Sequence, residues 1–342
     1  MRTVTVLGAG SWGTALAVHL GRVGHDVRLW ARDRALVDDM AARRANAVYL
    51  PDVPLPDSVV VTNALGTALA GAELVVSAIP SHGCRGVIHN AAPLLAEGAV
   101  IVSATKGLEA GSRLRMSQVI GLEAGPSHPV VVLSGPSFAL EVARQLPTAI
   151  LAASDNAEAI ALVQQEFRGP YFRLYGSDDV IGVEIGAAMK NIIAIAAGVV
   201  EGLGLGHNAL AALITRGLAE LTRLACAAGG RRETLAGLSG LGDLVLTCTG
   251  SLSRNRHVGI ELAKGRTLSS ILASTKMVAE GVLTTGAALE LGAQYGVELP
   301  IATQMAEVLS GRADVRTALD ALMLRKQRAE AETGPLGDGV AG

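Results

Sequence analysis

Lys190 is the residue of this chain best placed to do chemistry. It lies in EIGAAMKNIIAIAAGVV, an otherwise apolar stretch with a helical pattern. On a helix its near neighbours are Gly186, Ala187, Ile193, Ala194 and Ala197, most of them small. Such a face has room for a ligand or for another backbone. An ammonium there loses water, which favours its neutral form. A lysine with a lowered pKa exchanges protons with a carbonyl or alcohol oxygen near neutral pH. The plainer alternative is a lysine that snorkels to the surface or pairs with Glu184.

Other segments carry further candidates. ATKGL places Lys106 just after a predicted strand, where open α/β sheets bind ligands. GPSFALEVA, residues 135–143, reads as a tight turn into a helix, with Gly135, Ser137 and the following N–H groups available to small polar groups. SGLGDLVLTCTGSLSRNRHVG carries Asp243, Ser253, Arg254 and Asn255. An arginine between serine and asparagine at a helix start suits phosphate, because a guanidinium fork, a hydroxyl and N–H groups converge there. Each has a plain alternative: Asp243 and Ser253 as helix caps, Arg254 as a solvated charge. The seven histidines form no H-x-x-x-H or H-E-x-x-H pair, so a metal is not expected. G-x-S-x-G is absent, which argues against a serine nucleophile.

A nucleotide site stands at the start of the chain. VTVLGAGSWG, residues 4–13, is a strand running into G-x-G-x-x-G with Gly8, Gly10 and Gly13. Gly8 permits the tight turn, Gly10 lets the backbone approach a pyrophosphate, and Gly13 lets the helix pack closely on the strand. The helix N-terminus then offers N–H groups and partial positive charge to the phosphates. Taken alone this spacing is weak; after a strand and before a helix it points to a dinucleotide. At the end of the second strand, where NAD enzymes usually carry an acid, the chain reads RLWARDR, with Trp30 at about that place and Arg32 just after. A guanidinium pairs with a 2′-phosphate and a carboxylate repels it, so NADP is the preferred cofactor. Asp33 is the counter-argument: as a cap of the next helix it is neutral in this choice, but pointing inward it admits NAD.

The elements that must position these groups fall into two kinds. Short β-branched runs at Thr3–Leu7, Asp26–Trp30, Val59–Thr62, Glu73–Ile79, Ala99–Ser103, Val130–Ser134 and Ala149–Ala152 read as strands, with a helix over Gly13–Gly24. Their near-continuous apolar character predicts a parallel sheet buried on both faces, in a Rossmann-like doubly wound α/β domain. A further short strand near Tyr171–Tyr175 softens the boundary. Beyond Asp178 the pattern is helical, with glycine-rich breaks. The expected division is a dinucleotide-binding domain over 1–178, an all-helical substrate domain over 179–330, and a disordered tail over 331–342.

Composition narrows the class. The 342 residues are half hydrophobic and 18% charged, with a formal net charge of −2. That predicts packed cores and no general field for nucleic acid or anionic membrane. Cys84, Cys226 and Cys248 are far apart and form no C-x-x-C pair, which fits a reducing compartment and a cytoplasmic protein. No signal peptide is read at the N-terminus. The longest apolar stretch, Ile181–Val200, contains Glu184, Lys190 and Asn191, which argues against a membrane span.

With these residues in view, the sequence resembles the bacterial-type NAD(P)-dependent glycerol-3-phosphate dehydrogenases. The resemblance rests on GAGSWGTALA, ATKGLE, GPSFALEVA, EIGAAMKNIIAIAAG, ALITRGLAE, GLSGLGDLVLTCTGSLSRN and VAEGV, in order over residues 4–285. It implies that Ser11, Trp12, Arg32, Tyr49 and Ala139 contact the dinucleotide, and that Lys106 lies near both cofactor and substrate. It implies that Gly135 and Ser137 contact substrate and that Lys190 is the proton donor or acceptor. Asp243, Ser253, Arg254 and Asn255 would complete the substrate site, Arg254 reaching the cofactor as well, and Val278 and Glu280 would close over the cofactor. The implied reaction is reversible hydride transfer between NAD(P)H and dihydroxyacetone phosphate, giving sn-glycerol 3-phosphate for phospholipid synthesis. His207 and Leu210 depart from the family pattern in GLGLGHNAL. An all-helical second domain often supplies a dimer face, so a homodimer stays open. Two alternatives stay open as well: a β-hydroxyacid or 6-phosphogluconate type of dehydrogenase, and a redox-sensing nucleotide binder without turnover.

Overall fold

The computed structural model describes residues 1–274 and 279–326. Val278 and the tail at 331–342 therefore lie outside the described residues. Ten strands form: β1 Thr3–Leu7, β2 Asp26–Trp30, β3 Ala45–Asn46, β4 Leu50–Pro54, β5 Val59–Thr62, β6 Leu74–Ser77, β7 Val100–Ser103, β8 Val130–Ser134, β9 Thr148–Ala153 and β10 Phe172–Ser177. Eight of them make one sheet in the order β10-β9-β8-β7-β6-β1-β2-β5, and β3 and β4 make a separate hairpin. The chain winds from β1 through β2 to β5 on one side and from β6 outward on the other. A crevice therefore opens beyond the carboxyl ends of β1 and β6, where doubly wound sheets bind ligands. Strands β6 and β7 are buried throughout, as their unbroken apolar runs require.

Three details differ from the sequence expectation. The first helix runs over Ser11–Arg22, and Gly24 lies in the turn after it at φ +99°. The hairpin β3–β4 carries no alternating pattern of its own and emerges only in three dimensions. The sheet is not wholly parallel, because β8 and β9 run antiparallel. The helix between them, Ala139–Ala143, has five residues. At 1.5 Å per residue it spans about 7.5 Å, against about 17 Å for a five-residue strand, too short to carry the chain back for a parallel return.

Beyond β10 the described chain is helical. Its centre is the helix Val180–Gly202, in which every residue from Gly182 to Val200 is buried. By length and composition this helix would cross a membrane, yet 89% of its apolar window is packed inside the protein. Ile192, Ile193, Leu221, Leu224 and Ala288 form an apolar core around it, distinct from the sheet core of Val4, Val6, Leu29 and Val102. The helix Arg254–Ala263 packs on it backbone to backbone. A Cβ on Gly198 would sit 1.9 Å from the carbonyl oxygen of Arg256, and one on Gly259 would sit 1.9 Å from that of Ile195. On the small face noted in the sequence, a Cβ on Gly186 would come 3.1 Å from the Ser239 carbonyl oxygen, so part of that face is filled by another backbone.

Two carboxylates join the helical part to the sheet part. Glu184, from the central helix, accepts from the Ser117 N–H at 2.8 Å and hydroxyl at 2.5 Å, and from Arg115 at 2.6 Å, at the start of the helix Met116–Ala124. Glu280 accepts from the Ser81 N–H at 3.2 Å and hydroxyl at 2.6 Å, at the start of the helix Ser81–Ala91. Each places negative charge where a helix presents unpaired N–H groups.

Candidate active site

The turn after β1 is a tight glycine turn that leads straight into a helix N-terminus. Gly8 adopts φ +109°, and a Cβ there would come 2.7 Å from the Ala78 carbonyl oxygen. A Cβ on Gly13 would come 1.9 Å from the Gly8 carbonyl oxygen. Gly10 differs, since a Cβ on it would meet nothing within 4 Å. Its missing side chain leaves open space at the mouth of the turn, while the other two glycines serve close packing. The helix Ser11–Arg22 has no side-chain cap at its N-terminus, so its first N–H groups face that space. These features fit a dinucleotide pyrophosphate. The Ser11 hydroxyl donates to the Tyr49 carbonyl at 2.6 Å and so holds the β3–β4 hairpin against the turn. The buried Trp12 indole nitrogen has no hydrogen-bond partner.

At the end of β2, Asp33 caps the helix Arg34–Arg43, accepting from the N–H groups of Ala35 at 2.9 Å and Leu36 at 3.4 Å. It does not point inward. Arg32 is exposed and has no hydrogen bond or ion pair among the described residues.

Lys190, Lys106 and Asp243 meet. Asp243 is buried, and each of its oxygens takes one ammonium: Oδ1 lies 2.5 Å from Lys190 Nζ and Oδ2 lies 2.7 Å from Lys106 Nζ. Lys190 also donates to the Thr247 hydroxyl at 2.8 Å, and that hydroxyl donates to the Asp243 carbonyl at 2.6 Å. Burial drives the Lys190 pKa down to about 7; Asp243 pulls it up and Lys106 adds to the lowering. Burial would raise Asp243, but the two lysines outweigh it and hold its carboxyl below the ordinary value. Glu184 is turned to Ser117 and Arg115, so the alternative pairing with Lys190 does not occur. Thr247 lies within the segment GLSGLGDLVLTCTGSLSRN, where its one signal is its place four residues after Asp243, one turn along the same helix.

Around this group stand the remaining candidates. Gly135 adopts φ +133°, and its carbonyl accepts from Lys106 at 3.3 Å and from the Ser137 hydroxyl at 2.9 Å. Ala139 opens the short helix that follows. Ser253 caps the helix Arg254–Ala263, accepting from the Arg256 N–H at 3.3 Å. The Asn255 side chain is committed inside the protein: its amide donates to Asn191 Oδ1 at 3.0 Å and its oxygen accepts the Gly281 N–H at 3.0 Å. What Asn255 offers outward is therefore its backbone N–H in the first turn. Arg254 is open to solvent, yet protein crowds its guanidinium enough that burial lowers its pKa, with Glu280 acting the other way. That combination describes a side chain on a cleft wall, wetted from one side. Glu280 itself is occupied by Ser81; burial raises its pKa and the Ser81 donors oppose the rise. Among the described residues no three His, Cys, Asp or Glu side chains gather to hold a metal ion.

A glycine-rich turn at a sheet switch point, in a chain that also buries a lysine of lowered pKa beside Asp243, defines a dinucleotide-dependent oxidoreductase. The sequence model described as NAD-dependent glycerol-3-phosphate dehydrogenase N-terminus matches residues 3–160, and the model of its C-terminus matches residues 179–320. The chain belongs to the NAD-dependent glycerol-3-phosphate dehydrogenase family. It is 53% identical to glycerol-3-phosphate dehydrogenase [NAD(P)+] of Koribacter versatilis, over 96% of this chain and 99% of that one. It is 54% identical to the enzyme of that name from Acidobacterium capsulatum, over 96% and 100%. The crystal structure of glycerol-3-phosphate dehydrogenase from Coxiella burnetii superimposes with a TM-score of 0.92 at 41% identity, covering 95% of this chain and 99% of that one.

Proposed function

We propose that this chain interconverts dihydroxyacetone phosphate and sn-glycerol 3-phosphate with a nicotinamide dinucleotide, the product supplying glycerophospholipid synthesis. The observation that carries the reading is the buried Lys190–Asp243–Lys106 group with Lys190 near neutrality. When bound, the nicotinamide supplies or accepts the hydride. In the reducing direction Lys190 Nζ gives its proton to the oxygen of the forming alcohol, and in the oxidising direction it takes that proton back. Asp243 and Thr247 fix the ammonium in place. Lys106 shares the Asp243 carboxylate and adds positive charge where negative charge develops on oxygen. Arg254 and the first-turn N–H groups of its helix, capped by Ser253, hold the phosphate, and that binding energy orients the small substrate.

The same reading gives the dinucleotide to Gly8, Gly10, Ser11, Trp12, Gly13, Arg32, Tyr49, Ala139, Val278 and Glu280, and further substrate contacts to Gly135 and Ser137. Both NAD and NADP suit a family whose relatives are named for NAD(P)+. NADP is preferred here because Arg32 is unpaired and Asp33 is spent as a cap. The division at 178/179 is supported by the two separate apolar cores. A cytoplasmic location is supported by three free cysteines. A homodimer through the helical part is supported by Leu241 and Val245, left exposed one turn apart, and sedimentation tests it.

The deciding experiment mixes the protein with NADPH and dihydroxyacetone phosphate and follows loss of reduced-nicotinamide absorbance, with NADH and a hydroxyacid-type keto substrate in parallel arms. Oxidation confined to the phosphate ketone is the expected result. A preference for the keto acid, or binding without turnover, assigns the site to another dehydrogenase class or to a sensor.

A further inference from the structure

We infer that Asn46 is a positioning residue for the nucleotide cradle, setting the direction of the Gly10 N–H and the placement of Tyr49. The inference rests on the reading of the Gly8–Gly13 turn as a dinucleotide site. Asn46 is fully buried at the end of β3 and belongs to no motif. Both its donors and one of its two acceptor lone pairs are used. The amide nitrogen donates to the Ala9 carbonyl at 2.9 Å and to the Thr14 hydroxyl at 2.8 Å. The amide oxygen accepts the Tyr49 N–H at 3.1 Å. One side chain therefore splints the glycine-rich turn, the first helix and the hairpin.

The consequence follows from peptide geometry. The unit joining Ala9 to Gly10 is trans, so its C=O and N–H point in opposite directions. Fixing the Ala9 carbonyl on Asn46 therefore aims the Gly10 N–H away from Asn46, at a residue whose own surroundings are open, since a Cβ there would meet nothing within 4 Å. Tyr49 is held at both ends, its N–H on Asn46 and its carbonyl on the Ser11 hydroxyl. The excursion that brings Asn46 here is anchored behind it. Arg44 adopts φ 52° and donates to the carbonyls of Val59 at 3.0 Å and Leu55 at 3.3 Å. The hairpin thus delivers an amide to the underside of the phosphate turn, and the ligand touches only the surface that this amide has oriented.

The test compares Asn46→Asp, Asn46→Ala and Thr14→Val. Asn46→Asp keeps the shape and the acceptor for Tyr49 but cannot donate to Ala9. Thr14→Val removes only the hydroxyl bond. The Kd for NADPH is measured by fluorescence titration of the full chain, and KM for each substrate and kcat are measured alongside. Asn46→Asp and Asn46→Ala should weaken NADPH about tenfold or more, with KM for the phosphate substrate and kcat near the parent values, because preorganised donors are lost on the nucleotide side alone. Thr14→Val should bind NADPH like the parent. A folded Asn46→Asp protein whose Kd stays within twofold of the parent overturns the inference. A lowered melting temperature with an unchanged Kd does so too, by assigning Asn46 a structural role only. The titration needs no turnover, so a wrong substrate assignment shows up in kcat of the parent and leaves this result readable.

Discussion

Lys190 Nζ stands 2.5 Å from Asp243 Oδ1, and the other oxygen of that carboxylate is already taken by Lys106. Two cations thus share one buried anion. The carboxylate is stabilised by both and stays ionised. The lysines are not equivalent in burial, the Lys190 side chain being 7% exposed and that of Lys106 17%. Burial brings the Lys190 pKa down to about 7. Asp243 therefore acts by keeping Lys190 from losing its charge altogether, and Lys106 by keeping it from holding that charge too tightly.

The pH dependence follows with a definite sign. With Lys190 near 7, ketone reduction needs the protonated form and should decline as pH rises through about 7. Alcohol oxidation needs the neutral form and should decline as pH falls through the same region. Asp243→Asn removes the attraction that raises the Lys190 pKa and leaves the Lys106 repulsion. The reducing limb should then move to lower pH in a kcat/KM profile. A limb that stays put or moves upward would sink the assignment of the titrating group to Lys190.

Lys190→Ala should lose about 10²- to 10⁴-fold in kcat, the usual worth of a positioned general acid. Nucleotide binding should survive, since the Gly8–Gly13 cradle makes no hydrogen bond to Lys190. Lys190→Arg should not restore turnover, because a guanidinium does not release its proton in the working range. Steady-state rates and an NADPH titration check both parts, and near-parent turnover in either variant excludes Lys190 as the proton donor.

Arg32→Ala should raise the KM for NADPH about tenfold or more while leaving that for NADH nearly unchanged. On the proposed reading the exposed Arg32 guanidinium would pair with the 2′-phosphate, so its removal should affect only the phosphorylated cofactor. Equal loss with both cofactors would show that Arg32 reads something other than the 2′-phosphate.

Gly198→Ala should be among the most damaging single-carbon additions. The new Cβ would start 1.9 Å from the Arg256 carbonyl, a backbone atom that cannot rotate away. Pushing the Arg254–Ala263 helix off the central helix costs about 1–3 kcal/mol or more. It also displaces Arg254, so KM for the phosphate substrate should rise together with the fall in melting temperature. Gly204→Ala, at an exposed φ of +69° with nothing within 4 Å, should cost less and leave that KM alone.

By itself the sequence determined much of this protein, wherever local pattern and local chemistry coincide. β-branched and apolar runs marked β1, β2, β5 and β8 to the residue, because such side chains favour the extended, pleated backbone even where, as in β2 and the edge strand β5, part of the strand is exposed. The spacing of Gly8, Gly10 and Gly13 declared the tight turn between β1 and the first helix, because steric demand on a backbone is written in the residue that meets it. The small residues around Lys190 announced close packing, and the motif order carried the family. Tertiary structure decided the rest. Glu184 and Lys190 are six residues apart, roughly 240° around a helix, and only the packed fold shows Glu184 facing Ser117 while Lys190 faces Asp243, 53 positions away. The reversal of β9 came from a helix too short to complete a crossover. Whether Asp33 capped a helix or faced the crevice was fixed by the direction of its own side chain. Asn46 stands in none of the motifs and Thr247 stands unmarked inside one, because what they do depends on which carbonyl or ammonium the fold sets beside them. Hydrogen bonds are directional and short-ranged, so residues that act by orienting others become visible only once the chain has brought their partners within about 3 Å.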